Sequence, residues 1–240
     1  SNDLSAVEAV RMGSAPITQA LIDQVRGVFP KAAISNGYGT TEAGPVVFGP
    51  HPKGIPQPEL STGYPHPEVQ LRLVRDGREV EDEGALEMKC DALMTHYHKL
   101  PEVTAKAMTA DGYYRTSDVF RRDDNGFFYF VGRVDDMFVC GGENIYPGEV
   151  EKMLERHPDI HQAAVIAVPD DLKGHKPIAF VVKAPGTQLD EQTVKTYALA
   201  NAPAYQHPRR VLFVDEMPLA GTNKIDKRAL ATQIPTGGDI

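Results

Sequence analysis

One stretch constrains the fold of this chain more than any other: Gly132-Arg133-Val134-Asp135-Asp136-Met137-Phe138-Val139-Cys140-Gly141-Gly142-Glu143-Asn144-Ile145-Tyr146-Pro147-Gly148-Glu149-Val150-Glu151. It reads as a strand end, an acidic joint, a short apolar strand, a glycine turn and the start of a helix. Gly141-Gly142 removes side chains where the backbone must bend sharply or let something pass close. Pro147 suits the first turn of a helix whose apolar positions follow at Val150, Met153 and Leu154. Alone, such a segment is a strand–turn–helix corner without chemistry.

Upstream of it the chain starts in α/β style. Pro16 fits a first helical turn, and Ile17, Leu21, Val25 and Val28 repeat at helical spacing until Pro30. Ala33-Ile34-Ser35 reads as a short strand, and Gly44 to Pro67 as Pro- and Gly-rich loop. Val69 to Val74 alternates, Asp76-Gly77 marks a hairpin turn, and Gly84 to Met88 pairs back. Thr95 to Lys106 is a polar turn and short helix, and a second hairpin spans Tyr113 to Arg121 and Phe127 to Val131 around Asn125-Gly126. The two hairpins predict a small antiparallel sheet or barrel ending at Arg133.

Beyond Asp136 the pattern becomes mixed α/β. A helix is expected from Pro147 to His157, with strands at Ala163 to Val168, Ile178 to Lys183 and Val211 to Val214. Asp190 caps a further helix, with Leu189 and Val194 as a hydrophobic staple. A loop from Met217 to Asn223 precedes a short helix near Ile225. The expected organisation is residues 1–134 as one domain and 135–240 as a second, smaller α/β domain.

Composition excludes several classes. The net charge of −8 argues against a nucleic-acid partner, because phosphate binding needs a basic face. No apolar run is long enough to span a bilayer. Cys90 and Cys140 lack metal-ligand spacing and read as buried thiols of a reducing, cytoplasmic protein. His157 and His161 are four apart, but Pro158 breaks any helix that would align them on zinc. His96-Tyr97-His98 reads as a polar strand or turn. Ser1-Asn2 looks like an expression remnant, which would place the start of this chain inside a longer protein.

Three further motifs agree with the central stretch. They are Tyr38-Gly39-Thr40-Thr41-Glu42, Tyr114-Arg115-Thr116-Ser117-Asp118, and Pro218-Leu219-Ala220-Gly221-Thr222-Asn223-Lys224-Ile225-Asp226-Lys227. Each has an ordinary structural account on its own: an exposed turn, an aspartate closing a turn, a solvated loop lysine. Together they resemble the AMP-forming acyl-CoA synthetases, the family that also holds luciferases and peptide-synthetase adenylation domains. The resemblance covers nearly all of the chain and corresponds to roughly the C-terminal half of a family enzyme.

The resemblance implies the end of a large AMP-binding domain, a helix–strand piece plus a small β-barrel-like part, and then a small mobile C-terminal domain. It implies ATP (leaving as AMP), Mg²⁺, coenzyme A and a fatty or aryl carboxylic acid as partners. Adenylation brings two anions together, so a cation between them and a metal on the phosphates are needed. By motif, Tyr38 stacks on adenine with Gly39 beside it, Thr41 donates to the α-phosphate, and Glu42 binds Mg²⁺. Gly13-Ser14-Ala15 corresponds to a Gly-Gly-Ala adenine-pocket segment, departing at Ser14. Asp118 accepts the ribose hydroxyls, and Arg133 contacts ribose and phosphate. Asp135 is the hinge, Gly141 and Gly142 line the pantetheine tunnel, and Gly37 with Val46 to Phe48 lines the acyl pocket. Lys224 is the adenylation lysine, preceded by Asn223 where glycine is usual. The family's phosphate loop is absent from these residues, so the chain alone is expected to be inactive. The alternatives are a non-catalytic nucleotide- or CoA-binding module, and an adenylation domain acting on a carrier protein.

Overall fold

A computed structural model describes residues 4–13, 17–44, 46–221 and 224–235, the Ala20 side chain excepted. The chain divides into two compact units, Ser1–Asp135 and Asp136–Ile240. No helix among the described residues is long and apolar enough to cross a membrane.

The first unit opens with strand β1 (Ala9–Gly13), helix α1 (Gln19–Val28) and strand β2 (Ala33–Gly37). The two strands pair in parallel, with Arg11 opposite Ser35 and Gly13 opposite Gly37, so the helix is a crossover. The sequence pattern alone did not mark β1. The helix starts later than Pro16 suggests, because the Thr18 hydroxyl accepts from the Leu21 amide and sets the cap there. That shifts the buried face. Ile17 and Ile22, the two staple positions about this cap, are buried, whereas Leu21 and Val28 of the expected stripe are exposed.

Two short strands, β3 (Phe48–Gly49) and β4 (Tyr64–Pro65), pair inside the segment expected to be loop. Then come β5 (Gln70–Arg75), β6 (Arg78–Val80), β7 (Glu83–Lys89), helix α2 (Pro101–Ala107), β8 (Tyr114–Arg122) and β9 (Phe128–Arg133). They form one antiparallel sheet in the order β6-β5-β7-β8-β9, an open path and not a closed barrel. Asp76-Gly77 makes the turn into β6 with φ of 53° and 71°, as a two-residue hairpin requires. Leu73, Leu86, Met88, Tyr114, Phe120 and Phe128 from this sheet enclose Ala43, Val47 and Phe48.

A 3-10 turn, Val134–Asp136, leads out of β9. The second unit contains β10 (Phe138–Cys140), β11 (Glu143–Ile145), α3 (Pro147–Leu154), β12 (Ile160–Asp170), β13 (Gly174–Lys183), α4 (Glu191–Asn201), β14 (Arg210–Phe213) and α5 (Lys227–Ala231). The sheet runs β11-β10-β13-β12, with β14 also beside β13. The expected strand–turn–helix corner is in fact a hairpin, β10 to β11, before helix α3 begins. Asp190 caps α4 by accepting from the Thr193 amide, and Leu189 and Val194 are both buried in one core with Ile145, Val150, Leu154 and Val165. Helix α3 stops at Leu154, short of His157.

Strand β12 ends its sheet, and α3 covers the open edge with two carboxylates. Glu151 accepts from the Val165 amide at 2.8 Å and Glu155 from the Ala163 amide at 3.0 Å. Lys227 pairs with Glu151 at 2.8 Å. Side chains thus stand where a neighbouring strand would otherwise pair. Burial dominates the titration of Glu155 and raises it to about 7, against the lowering by the Ala163 amide. A folded value above the ordinary 4.5 means stability present at low pH and lost as pH rises through about 7. Glu155→Gln should therefore gain roughly 1–3 kcal/mol over the parent at pH 8, with the gap closing toward pH 4.5. Urea denaturation of both proteins across that range is the check.

Candidate active site

Strand β8 is irregular where the chemistry is expected. Ala85 of β7 faces Val119 and Glu87 faces Arg115, so Thr116, Ser117 and Asp118 bulge opposite the single residue Leu86. Ser117 takes a φ of +59°, and the Thr116 hydroxyl donates to the Leu86 carbonyl while accepting from the Asp118 amide. Such a bulge re-aims one side chain and ends regular pairing.

The side chain so aimed is Asp118, which is only 8% exposed. Its Oδ2 accepts from the Tyr38 hydroxyl at 2.5 Å, and its Oδ1 from Arg133 Nη1 at 3.0 Å. Arg133 Nη2 donates to Asp135 at 2.9 Å. Tyr38, half-buried, packs edge-on against Phe120 at 4.9 Å between centroids. Burial first, then the Asp118 charge, holds its phenol well above the ordinary range, so the hydroxyl stays a donor. Tyr38, Asp118 and Arg133, separate in sequence, are one hydrogen-bonded cluster.

Glu42 sits in the turn that follows, closed by the Thr40–Gly44 bridge and by the Ala43 amide donating to the Thr40 hydroxyl. Thr41 is exposed at this turn. The Tyr97 hydroxyl donates to Glu42 Oε1 at 2.7 Å, and the Met94 amide donates to the Glu42 carbonyl. Tyr114 lies against the same pair, and burial is the main cause that raises the phenols of both tyrosines. Sequence reasoning missed Tyr97, taking His96-Tyr97-His98 for a polar strand or turn. A half-buried carboxylate with one oxygen fixed suits a hard divalent cation that takes its other ligands from phosphate.

The remaining residues fall as follows. A Cβ on Gly13 would lie 2.6 Å from the Gly37 carbonyl oxygen, and the Arg11 side chain covers Gly37 itself. Ser14 and Ala15 lie outside the described residues. Gly39 is exposed. Val46 is exposed, but Val47 and Phe48, expected at the acyl pocket, are core residues at 1% and 6% exposure. Gly141 and Gly142 form the β10–β11 turn with φ of +63° and +91°, and a Cβ on Gly142 would touch nothing within 4 Å. The turn geometry by itself accounts for both glycines. Asp135 lies in the 3-10 turn where the two units meet in sequence. Lys224 is exposed on a loop whose base is pinned by Ala220 donating to the Lys224 carbonyl and Asp226 to Pro218. No ion pair among the described residues engages it.

The two units match two family models. Residues 1–98 match that of the AMP-binding enzyme and residues 149–224 that of the AMP-binding enzyme C-terminal domain. The chain belongs to the AMP-forming acyl-CoA synthetase family. Among curated members, 4-coumarate–CoA ligase 2 of Nicotiana tabacum is 32% identical over 98% of this chain and 45% of its own length. The 4-coumarate–CoA ligase of Vanilla planifolia is 32% identical over 97% of this chain and 43% of its own. Among solved members, the amide bond synthetase McbA from Marinactinospora thermotolerans superposes with a TM-score of 0.86 at 29% identity, covering 97% of this chain and 48% of that one. The anthranilate CoA ligase AuaEII in complex with anthranoyl-AMP gives 0.83 at 28%, over 96% and 45%. The chain thus spans less than half the length of the family members it matches.

The bulge carries a stability test. Ser117→Val places a β-branched residue at positive φ and should destabilise the first unit by about 1–2 kcal/mol, whereas Ser117→Gly should be nearly neutral. Denaturant titration followed by tyrosine fluorescence reads both.

Proposed function

We propose that the protein containing this chain is an ATP-dependent, AMP-forming acid–thiol ligase, with residues 1–134 ending its large domain and 135–240 forming its C-terminal domain. The observation that supports this most is the Tyr38–Asp118–Arg133 cluster, formed by residues that the family motifs single out separately. In the first half-reaction a carboxylate oxygen bonds to the α-phosphorus of ATP, the bond to the bridging oxygen breaks, and pyrophosphate leaves. In the second, the coenzyme A sulfur bonds to the acyl carbon, its proton is lost to solvent, and AMP leaves.

Each residue has a task in this reading. The ring of Tyr38 supports adenine, with Gly13, Ser14, Ala15 and Gly39 shaping the backbone around it. Asp118 accepts from the ribose diol, and Arg133 adds positive charge beside ribose and phosphate. Thr41 donates to the α-phosphate, and Glu42 would hold Mg²⁺, which when bound neutralises phosphate charge. Lys224 brings a compact cation between the attacking carboxylate and the α-phosphate. Asp135 is the pivot between half-reactions. Gly141 and Gly142 flank the pantetheine arm, while Gly37 and Val46 border the acid. An aryl acid is the first candidate, because the curated relatives are 4-coumarate ligases.

Three outcomes test this. Lys224→Ala in the full-length protein should cut carboxylate-dependent pyrophosphate release by about 10²–10³ without lowering its melting temperature. A non-catalytic binding module would be indifferent to that change. The 240-residue chain by itself should release no pyrophosphate at an enzymatic rate. Gly142→Asn, which tolerates the positive φ, should leave pyrophosphate release intact and slow only the appearance of the acyl thioester.

A further inference from the structure

We propose that Tyr97 is the positioning residue for the Glu42 carboxylate, holding it in the orientation in which it takes a divalent cation. This rests on Glu42 being the cation ligand in the function proposed above.

The segment 94–104 is tied to Glu42 at two points. The Met94 amide donates to the Glu42 carbonyl at 2.7 Å, which fixes the backbone. The Tyr97 hydroxyl donates to Oε1 at 2.7 Å, which fixes the side chain. Tyr97 is itself held in place. Its amide donates to the Thr104 hydroxyl at 3.0 Å, and its carbonyl accepts from the Leu100 amide. The Thr104 hydroxyl in turn donates to the Leu100 carbonyl at 2.9 Å, so the support reaches into α2. Tyr114, on β8 and buried, interacts with both members of the pair.

A glutamate on a short turn has many rotamers, and restricting them costs entropy when a cation binds. A partner that restricts them beforehand removes that cost from the binding step. The donor here is a neutral phenol, so the carboxylate keeps its full charge for the cation. A lysine or arginine in the same place would have cancelled it. Carboxylates that ligate metals are commonly held by such hydrogen bonds, and losing the outer partner weakens metal binding by about 10–100-fold.

The test uses the full-length protein, with Mn²⁺ as the cation. Free and bound Mn²⁺ are counted by electron paramagnetic resonance, in the presence of an ATP analogue with a methylene bridge between the α- and β-phosphates. Tyr97→Phe deletes only the hydroxyl and should weaken Mn²⁺ about tenfold. Its affinity for the same analogue in EDTA and its melting temperature should stay near those of the parent. A Tyr97→Phe protein that binds Mn²⁺ as tightly as the parent, while Glu42→Gln has lost it, overturns the positioning role alone. If Glu42→Gln also binds as the parent does, the assignment of Glu42 as ligand falls, and the role of Tyr97 with it. Should Tyr97→Phe fail to fold, Thr104→Val carries the measurement. It removes the acceptor of the Tyr97 amide, so weakened Mn²⁺ binding supports the proposal and unchanged binding overturns it.

Discussion

The candidate site of the first unit is organised around the buried carboxylate of Asp118. A carboxylate at 8% exposure is costly unless hydrogen-bond donors and an opposite charge replace the water it has lost. Asp118 meets both conditions, with a phenol on one oxygen and a guanidinium on the other. Those two partners come from the loop after β2 and from the last residue of β9. The sheet must therefore place β8 beside β9, and the β2 loop must fold over both. The bulge at Thr116–Asp118, with Ser117 at positive φ, is the local strain that aims the carboxylate this way. Arg133 then carries the chain of charges one step further, to Asp135.

The second unit obeys a different rule. Its sheet is covered on both faces by apolar clusters, one under α3 and α4 and one around Phe180, Met217 and Leu230. Its polar devices sit at edges and loop bases. Glu151 and Glu155 close the free edge of β12, and backbone bonds across the neck of the 218–226 loop present Lys224 to solvent.

Local order in the chain was largely legible. The Asp76-Gly77 turn, the Asp190 cap with its Leu189–Val194 staple, and the Asn125-Gly126 turn between β8 and β9 all follow from residue chemistry within five positions. Elements defined by their neighbours were less so. Strand β1 needs β2 to exist as a strand, and β3 and β4 are too short to be seen without each other. The α1 stripe was misread because a threonine cap moved the helix start. Strand β11 was missed because the two glycines that signal a turn do not say whether a strand or a helix comes next.

At the site the same division holds. The sequence by itself singled out the candidate side chains: a tyrosine, a threonine and a glutamate in one short motif, an aspartate, an arginine and a loop lysine. It could do so because their types and spacing are properties of the chain alone. Only the tertiary structure decided that Tyr38 bonds Asp118 across 80 residues and that Tyr97 reaches Glu42 across 55. Those contacts depend on how strands are registered and bulged, and register is set by the summed packing of whole sheets, which no short stretch encodes.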